Sequence, residues 1–398
     1  MRNLRNTRNT LIRFPSEDLP PSATAWDAAS DSLICTFGPS ESNPIIEVRR
    51  FNKGCVSPDD ATLIASWDAP SPLPDLPVDK ILALQYFADT ATICLILAGG
   101  DLVIVREEPL PGEDLIEIVG SVDAGINAAA WSPDEELLAL STRADTLIFM
   151  TRDFESIANN TLSPDDVNVS AHVSVGWGKA ETQFKGKRAK ALRDPTVPEH
   201  VDQGVLSSLD DGATTITWRG DGAYVAINAI QGGNKRMIRV YSREGILDSV
   251  SEPVDGLESA LSWRPSGSLM AGIQRLSDRI HVVFFERNGL RHGQFALRLD
   301  AQGARDSATS IHLKWNSDST VLAVCFADRV QLWTMGNYHY YLKQEISVAS
   351  FSDHPSPVRV SWHPEKALHL ALCHHCSYPF FTIMSRTDLC RFCASIDI

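Results

Sequence analysis

The chain lacks the sequence marks of several protein classes. Its 398 residues contain no apolar run of the roughly 18 or more residues that span a bilayer as a helix. P-loop (G-x-x-x-x-G-K-[ST]), nucleophile-elbow (G-x-S-x-G) and zinc-protease (H-E-x-x-H) motifs are absent. Positive charge is scarce, since 36 Lys and Arg against 50 Asp and Glu leave a net charge of −14. These absences argue against a membrane helix, against the enzymes that such motifs mark, and against a surface that wraps nucleic acid as a whole.

The remaining composition is that of an ordinary globular protein, with 43% hydrophobic and 22% charged residues. This excludes a disordered or collagen-like chain. The N-terminal stretch Met1–Phe14 is rich in arginine but has no apolar centre, so it does not look like a secretory signal. A mitochondrial presequence is the alternative, although the apolar residues are too few for a good amphipathic face. We therefore interpret the stretch as the polar start of a first strand and expect a cytosolic protein.

One pattern recurs along the chain: an apolar strand, an aromatic residue, a tight turn and a second apolar strand. It is clear in Ile126–Leu140 (INAAAWSPDEELLAL) and in Thr215–Ile227 (TITWRGDGAYVAI). The aromatic anchors of the repeats are Trp26, Tyr86, Trp131, Trp218, Trp263, Trp315 and Trp362. Most gaps between anchors are close to the roughly 40–45 residues of a propeller blade. The pattern predicts an all-β fold, a seven-bladed WD40-like β-propeller over residues 1–372, with anchors packed between blades.

An insertion, at about residues 154–211, interrupts the third blade. Its segment His172–Trp177 (HVSVGW) resembles the strand that completes that blade. A basic run follows, in which six Lys and Arg face one acid, Glu181. We consider two interpretations, a solvated loop or a contact for RNA or an acidic partner. The residues favoured for such a contact are Lys185, Lys187, Arg188, Lys190 and Arg193.

The C-terminal tail, residues 373–398, contains two C-x-x-C pairs. Cys373 with Cys376 and Cys390 with Cys393 have the spacing of thiolates that can hold zinc. The pairs fall where the seventh blade must lay down its remaining strands, and the stretch between them lacks the glycine usual in zinc knuckles. We expect no metal and no cofactor here, with a zinc site as the alternative.

Completion of the seventh blade is the weakest part of the predicted fold. Only Phe380–Met384 looks like a further strand after residue 372, and Arg386–Ile398 is expected to lack regular strands. The Met1–Phe14 segment can supply a closing strand through Leu11–Phe14, because propellers often close with a strand from the other terminus. Without it the ring would expose an edge that invites aggregation.

Several stretches resemble one family closely, the N-terminal propeller of the largest subunit of the Elongator complex (the IKAP family). The most specific is Val175–Gly186 (VGWGKAETQFKG). The others are Met1–Leu4 (MRNL), Trp131–Glu135 (WSPDE), Thr217–Gly222 (TWRGDG), Phe284–Gly293 (FFERNGLRHG) and Gln331–Gln344 (QLWTMGNYHYYLKQ). They spread over about residues 1–370, whereas the tail from about Cys373 departs from the family pattern.

The resemblance implies a function that the residues alone do not. The family is a non-catalytic scaffold of a complex that places a carboxymethyl-type group on carbon 5 of tRNA wobble uridines, and a different subunit with radical-SAM and acetyltransferase domains does the chemistry. The implied partners are the other Elongator subunits and, through the complex, tRNA. The expectation is a cytoplasmic protein, with the nucleus as a second location, without a membrane or small-molecule substrate. A general WD40 adaptor unrelated to tRNA is the alternative.

Overall fold

The computed structural model describes residues 4–13, 19–55, 57–163, 166, 202–231, 233, 235–267, 269–299, 310–348, 358–374 and 380–388. Over these ranges the chain forms β-strands joined by turns and loops, with a short 3-10 helix at Pro58–Asp60. No helix within these ranges is long and apolar enough to cross a membrane.

The strands form seven antiparallel sheets of four. Strand β1 (Leu4–Arg13) belongs to the last sheet, and the others follow in chain order. The first sheet contains β2 (Pro21–Asp27), β3 (Ser32–Phe37), β4 (Ile45–Phe51) and β5 (Thr62–Asp68). The second contains β6 (Ile81–Phe87), β7 (Thr92–Leu97), β8 (Asp101–Arg106) and β9 (Ile116–Ser121). The third contains β10 (Ile126–Trp131), β11 (Leu137–Thr142), β12 (Thr146–Thr151) and β13 (Ser156–Thr161).

The remaining sheets repeat the arrangement. The fourth contains β14 (Thr215–Trp218), β15 (Tyr224–Gln231), β16 (Lys235–Ser242) and β17 (Leu247–Val250). The fifth contains β18 (Leu257–Trp263), β19 (Leu269–Arg275), β20 (Ile280–Glu286) and β21 (Arg291–Ala296). The sixth contains β22 (His312–Trp315), β23 (Val321–Cys325), β24 (Arg329–Gly336) and β25 (His339–Ser347). The seventh contains β26 (Arg359–Trp362), β27 (His369–His374), β28 (Phe380–Asp388) and β1.

The first strands of the sheets join the sheets into a ring. Strand β2 packs beside β6, and the series continues through β10, β14, β18, β22 and β26 until β26 meets β2 again. The sheets are therefore the blades of a closed propeller, and their first strands surround its central channel. The second strands of the blades are almost wholly buried, as in β3, β7 and β19, because both faces of a blade pack against neighbours.

The aromatic anchors hold neighbouring blades together. Five of the seven are buried, whereas Trp26 and Trp131 are partly buried. The Trp218 indole donates to the carbonyl of Ala130 in the preceding blade at 3.0 Å. Trp362 donates in the same way to Lys314 at 3.3 Å. Trp26 donates to Ser361 across the closing seam at 3.2 Å. A recurring Trp thus acts in packing and hydrogen bonding between blades.

The ring closes through a longer strand pair than the sequence indicates. Strand β1 pairs antiparallel with β28 from Leu4 opposite Asp388 to Arg13 opposite Phe380. The expectation that Arg386–Ile398 lacks regular strands is therefore wrong for Arg386–Asp388, while 389–398 lie outside the described residues. The physical reason is that ladder hydrogen bonds join backbones, so polar residues extend a strand once a partner strand is present.

The third blade is completed by a strand that the apolar pattern missed. Ser156–Thr161 (β13) pairs with β12 as the fourth strand, whereas the sequence favoured His172–Trp177, which lies outside the described residues. An outermost strand has one paired edge and one solvated edge, so it needs few apolar residues. The polar sequence SIANNT can therefore form the outer strand of the third blade. The link from this strand to the fourth blade spans residues 162–214.

Candidate interaction surface on the connection face

The two faces of the propeller carry different loops. Because the strands in each blade are antiparallel, one face holds every link from the fourth strand of a blade to the first strand of the next. We call it the connection face, and it also holds the hairpins between second and third strands. The opposite side, the turn face, holds the other hairpins. The link of residues 162–214 is on the connection face, and its parts 162–163, 166 and 202–214 are described.

The outgoing end of this link is fixed to the fourth blade by Arg239 of β16. The Arg239 guanidinium donates to the Asp166 carboxylate at 2.9 Å and to the Ser163 carbonyl at 3.2 Å. Asp166 also accepts the backbone N–H of Ser163 at 3.0 Å, which closes a local turn. The Arg239 side chain is 1% exposed, so the link leaves the blade from a buried ion pair.

The returning end is fixed to the fifth blade. Arg291 of β21 pairs with Asp202 at 3.2 Å. The Asp255 carboxylate accepts the backbone N–H groups of Gln203 and Val205 at 2.8 and 2.9 Å. The Val205 carbonyl accepts from the backbone of the fifth blade's own link at 2.7 Å. The chain is therefore held at the first residues described after 201.

The last part of the link is fixed back onto the fourth blade by Arg236 of β16. Its guanidinium donates to both carboxylate oxygens of Asp210, at 2.5 and 2.7 Å, and to the Ala213 carbonyl at 2.8 Å. Arg236 and Asp210 are 1% and 5% exposed. Removing one partner of a buried pair leaves an uncompensated charge and costs about 3–5 kcal/mol.

A fourth contact reaches the fifth blade through Glu258 of β18. Its carboxylate forms a buried pair with Arg275 of β19 and accepts the Ser207 hydroxyl at 3.0 Å. Burial raises the pKa of Glu258 although Arg275 and Ser207 lower it. Desolvation is therefore the larger influence on the Glu258 pKa, and the hydrogen bonds from Arg275 and Ser207 oppose it by favouring the charged carboxylate.

Together these contacts hold the link in place. We call the residues that form them the link anchor: Arg236, Arg239, Arg275, Arg291 and Glu258. The link anchor fixes both described ends of the link to the connection face of the fourth and fifth blades. The predicted contact residues Lys185, Lys187, Arg188, Lys190 and Arg193 lie outside the described residues. The basic segment therefore departs from and returns to a defined region of the ring.

Sequence reasoning did not find the link anchor. Its arginines stand inside strands that otherwise read as apolar, as in β16, KRMIRVYS. An arginine in a buried strand is a signal that a carboxylate must lie nearby, because buried charges are paired. The sequence does not say which carboxylate, since Asp210 and Asp166 are distant in the chain from their partners.

The tail cysteines are only partly described. Cys373 is a buried free thiol at the end of β27, and burial raises its pKa to about 12. Cys376, Cys390 and Cys393 lie outside the described residues. In the part of the chain that the structure covers, no group of three or more His, Cys, Asp or Glu is arranged to hold a metal. The absence of a metal in the tail remains a prediction.

Comparison with known proteins agrees with the fold. A family profile described as "ELP1 first N-terminal beta-propeller" matches residues 1–365. Elongator complex protein 1 of Schizosaccharomyces pombe is 46% identical over 359 residues, covering 89% of this chain and 28% of the relative. The Saccharomyces cerevisiae protein is 41% identical over 379 residues, covering 86% and 26%. The Mus musculus protein is 42% identical over 278 residues, covering 67% and 20%.

The chain thus spans between a fifth and less than a third of the length of these relatives. The profile match covers most of the chain and coincides with the ring of blades. The resemblance seen in the sequence is confirmed: the chain belongs to the family of the first N-terminal β-propeller of Elongator complex protein 1.

Proposed function

We propose that the chain is a non-catalytic scaffold of the Elongator complex, supporting carbon-5 modification of tRNA wobble uridines. The observation that carries this proposal is the family match over residues 1–365, with relatives named Elongator complex protein 1 at 41–46% identity. The chemistry is assigned to another subunit, which carries radical-SAM and acetyltransferase domains. The other subunits are the proposed partners, and the cytoplasm is the proposed location.

The architecture supports a scaffold role. The buried residues of the inner strands are engaged in packing and in bonds between blades, as the Trp218, Trp362 and Trp26 indoles illustrate. A closed ring of this kind offers two rigid faces on which partners can dock without rearrangement.

The anchored link supports a contact with RNA or with an acidic partner. Its basic run has a net local charge of +5 in a chain of −14, and its ends are fixed by the link anchor. Fixed ends reduce the entropy that a binding segment loses. Phosphate contacts of lysine and arginine release counterions, so such binding must weaken as salt increases.

Co-purification tests membership in the complex. The tagged chain is expressed in a fungal cell and purified at low salt, and bound proteins are identified by mass spectrometry. We expect Elongator subunits above the level found with an unrelated seven-bladed propeller. Recovery of other partners, with no Elongator subunit, would support the general adaptor instead and overturn the proposal.

The RNA contact is tested by the salt dependence of tRNA binding. Changing Lys185, Lys187, Arg188, Lys190 and Arg193 to Ala should reduce the slope of log K against log salt, by about 0.7–0.9 for each phosphate that the variant no longer neutralises. A control with the same charge change alters five residues of the turn face, namely Lys53, Arg152, Arg219, Arg243 and Arg287. An equal change of slope in both variants, or in neither, would show that the basic segment makes no specific contribution.

A further inference from the structure

In several blades the residue that follows the aromatic anchor accepts hydrogen bonds from the backbone of its own hairpin. The Asp27 carboxylate of the first blade accepts two backbone N–H groups, at 3.0 and 3.3 Å. The Asn316 amide oxygen of the sixth blade also accepts two, each at 2.9 Å. The Ser132 hydroxyl of the third blade accepts one at 3.0 Å. Such side chains commonly close turns in this way, so this position caps the hairpin between the first and second strands.

The seventh blade has a histidine at this position. The Nδ1 atom of His363 accepts the backbone N–H groups of Glu365 and Lys366, each at 3.1 Å. A ring nitrogen that accepts carries no proton, so His363 is neutral here, with its proton on Nε2. A charged imidazole is a donor at both nitrogens and has no acceptor. The cap of this hairpin therefore requires the neutral histidine, whereas the Asn316 amide caps its hairpin without any dependence on protonation.

His363 lies at the contact between the seventh blade and the first. Its side chain is buried, and its ring centre is 5.0 Å from that of Trp26. Its Nε2 atom lies 3.3 Å from the carboxylate of Asp31, in the hairpin that follows Trp26. Trp26 also contacts the ring of His369 at 5.0 Å. The capped hairpin of residues 363–368 thus holds its imidazole against the first blade.

We call the contacts between the first blade and β26 with its hairpin the seam. Besides the indole bond described above, Arg359 donates to the Ser22 carbonyl across the seam at 2.5 Å. Lys366 pairs with Asp31 across it, also at 2.5 Å. The C-terminal strands meet the start of the chain here and in the ladder between β1 and β28. Both sets of contacts are noncovalent, so loss of the seam contacts weakens closure of the ring.

Charged and titratable groups surround His363 at the seam. Burial lowers the pKa of His363 and Lys366 lowers it further, whereas Asp31 and Glu365 oppose the shift. Burial would raise the pKa of Asp31, but Lys366 and Lys53 lower it to about 2, so this carboxylate stays charged. Among the residues that the structure describes, the groups around His363 come from the first blade, from its own hairpin and from β27: Asp31, Lys53, Glu365, Lys366 and His369.

We propose that His363 is a pH-sensitive latch on the seam, which holds the hairpin against the first blade when neutral and releases it when protonated. Protonation places a hydrogen on Nδ1, where two N–H groups already point, so both hydrogen bonds of the cap are lost. The pKa of His363 is lowered by folding, so the contribution of the latch is fully present above the ordinary value of about 6.5. It is lost as the pH falls below that value and through the folded one. The inference does not depend on the proposed function.

Hydrogen exchange of the whole chain, measured by mass spectrometry between pH 7.5 and pH 5, tests the latch. The protection of residues 363–368 is divided by that of the equivalent hairpin, residues 316–320 of the sixth blade, in the same sample. This ratio cancels the effect of pH on exchange itself. We expect it to fall below pH 6.5 by up to about tenfold per pH unit, because the released hairpin binds the proton more tightly than the capped one.

The test variant is His363→Asn. Its amide oxygen can accept the same N–H groups, as Asn316 does in the sixth blade, but it does not titrate. The ratio should therefore lose its pH dependence, whatever constant offset the smaller side chain causes. The matched control is His339→Asn, which alters an exposed imidazole of the sixth blade and should keep the full pH dependence. A ratio that is constant with pH in the unaltered chain, or still falls in His363→Asn, would overturn the latch.

A second measurement uses the imidazole itself. The histidine resonance that is missing from the NMR spectrum of His363→Asn identifies His363 in the unaltered chain. Its titration should give a pKa below 6.5, since the fold favours the neutral ring. A pKa at or above 6.5 would show that closure of the seam does not oppose protonation, and the proposal would then be wrong.

Discussion

Two links on the connection face are attached to the blades by different kinds of contact. The link of residues 69–80, before the second blade, places the buried Asp79 carboxylate against the backbone N–H of Gly99 at 2.6 Å. The link of residues 162–214, before the fourth blade, is held by arginines that bind carboxylates and carbonyls together. The first relies on bonds to backbone groups, such as that at Gly99, and on close packing, whereas the second relies on the buried arginines of the link anchor.

The difference follows from length and from the groups available. At Gly99 a Cβ would lie 2.5 Å from Pro72 and 2.8 Å from Asp79, so the short link packs directly on the hairpin backbone. A long link loses more freedom when its ends are fixed, although the loss grows slowly with length. Guanidinium groups have five donors each and fix such a chain at several points. The comparison teaches that the fourth and fifth blades are specialised to hold a segment.

The largest effect on stability is expected from breaking the link anchor. Arg236→Met keeps the volume but leaves the Asp210 carboxylate buried without its partner, so the free energy of unfolding in urea should fall by about 3–5 kcal/mol. The control is Arg219→Met, whose partner Asp221 is largely exposed. If Arg236→Met unfolds like the control and proteolysis within the link is unchanged, the link anchor does not hold the link.

A smaller effect, a gain in stability, is expected from a substitution in the short link of residues 69–80. Burial raises the pKa of Asp79 to about 6, with Asp101 adding to the rise. The folded state therefore binds a proton more tightly than the unfolded chain, and stability should fall as pH rises from about 4 to about 6. Asp79→Asn keeps an acceptor for Gly99 and removes the ionisation, so it should stabilise the protein at pH 7 by on the order of 2 kcal/mol.

The measurement is urea denaturation at pH 4.5 and pH 7 for both proteins. The stabilisation by Asn should be present at pH 7 and largely absent at pH 4.5. A constant difference at both pH values would show that Asp79 does not titrate in this range, and the short link would then not depend on a buried acid.

The smallest effect is expected at the exposed pair of the short link. Arg143 bonds Asp75 at 2.5 Å, with side chains 32% and 67% exposed. Exposed ion pairs are screened by solvent and lose side-chain entropy. Asp75→Ala should leave the urea midpoint unchanged within error, with Asp68→Ala as the control. A clear loss of stability would mean that ion pairs secure the short link too, and the contrast between the links would fail.

Much of the fold is readable from the sequence because the repeat is local. Each anchor, such as Trp218, is followed by a turn such as Gly220-Asp221-Gly222 and a second apolar strand, and these features need only neighbouring residues. The prediction failed where strands depend on a partner rather than on their own pattern. Ser156–Thr161 and Arg386–Asp388 are polar and form strands because β12 and β1 offer backbone groups.

The candidate surface was predictable only in part. The basic run is visible in the sequence as a charge contrast, whereas the residues that hold its link are not. Arg236 and Arg239 lie on opposite faces of β16, a strand that is buried on both faces, and their acids come from the link itself. Pairing between distant groups is fixed by the arrangement of blades, which a local pattern does not encode.

The sequence by itself determined the number of blades, the anchors and the family, because these rest on short-range periodicity and on motifs such as Phe284–Gly293. The tertiary structure alone decided how the ring closes and which acids the buried arginines meet. The physical reason is that closure of a ring brings together residues from distant blades. Their charges and hydrogen bonds acquire meaning only when the desolvated surroundings that they share are known.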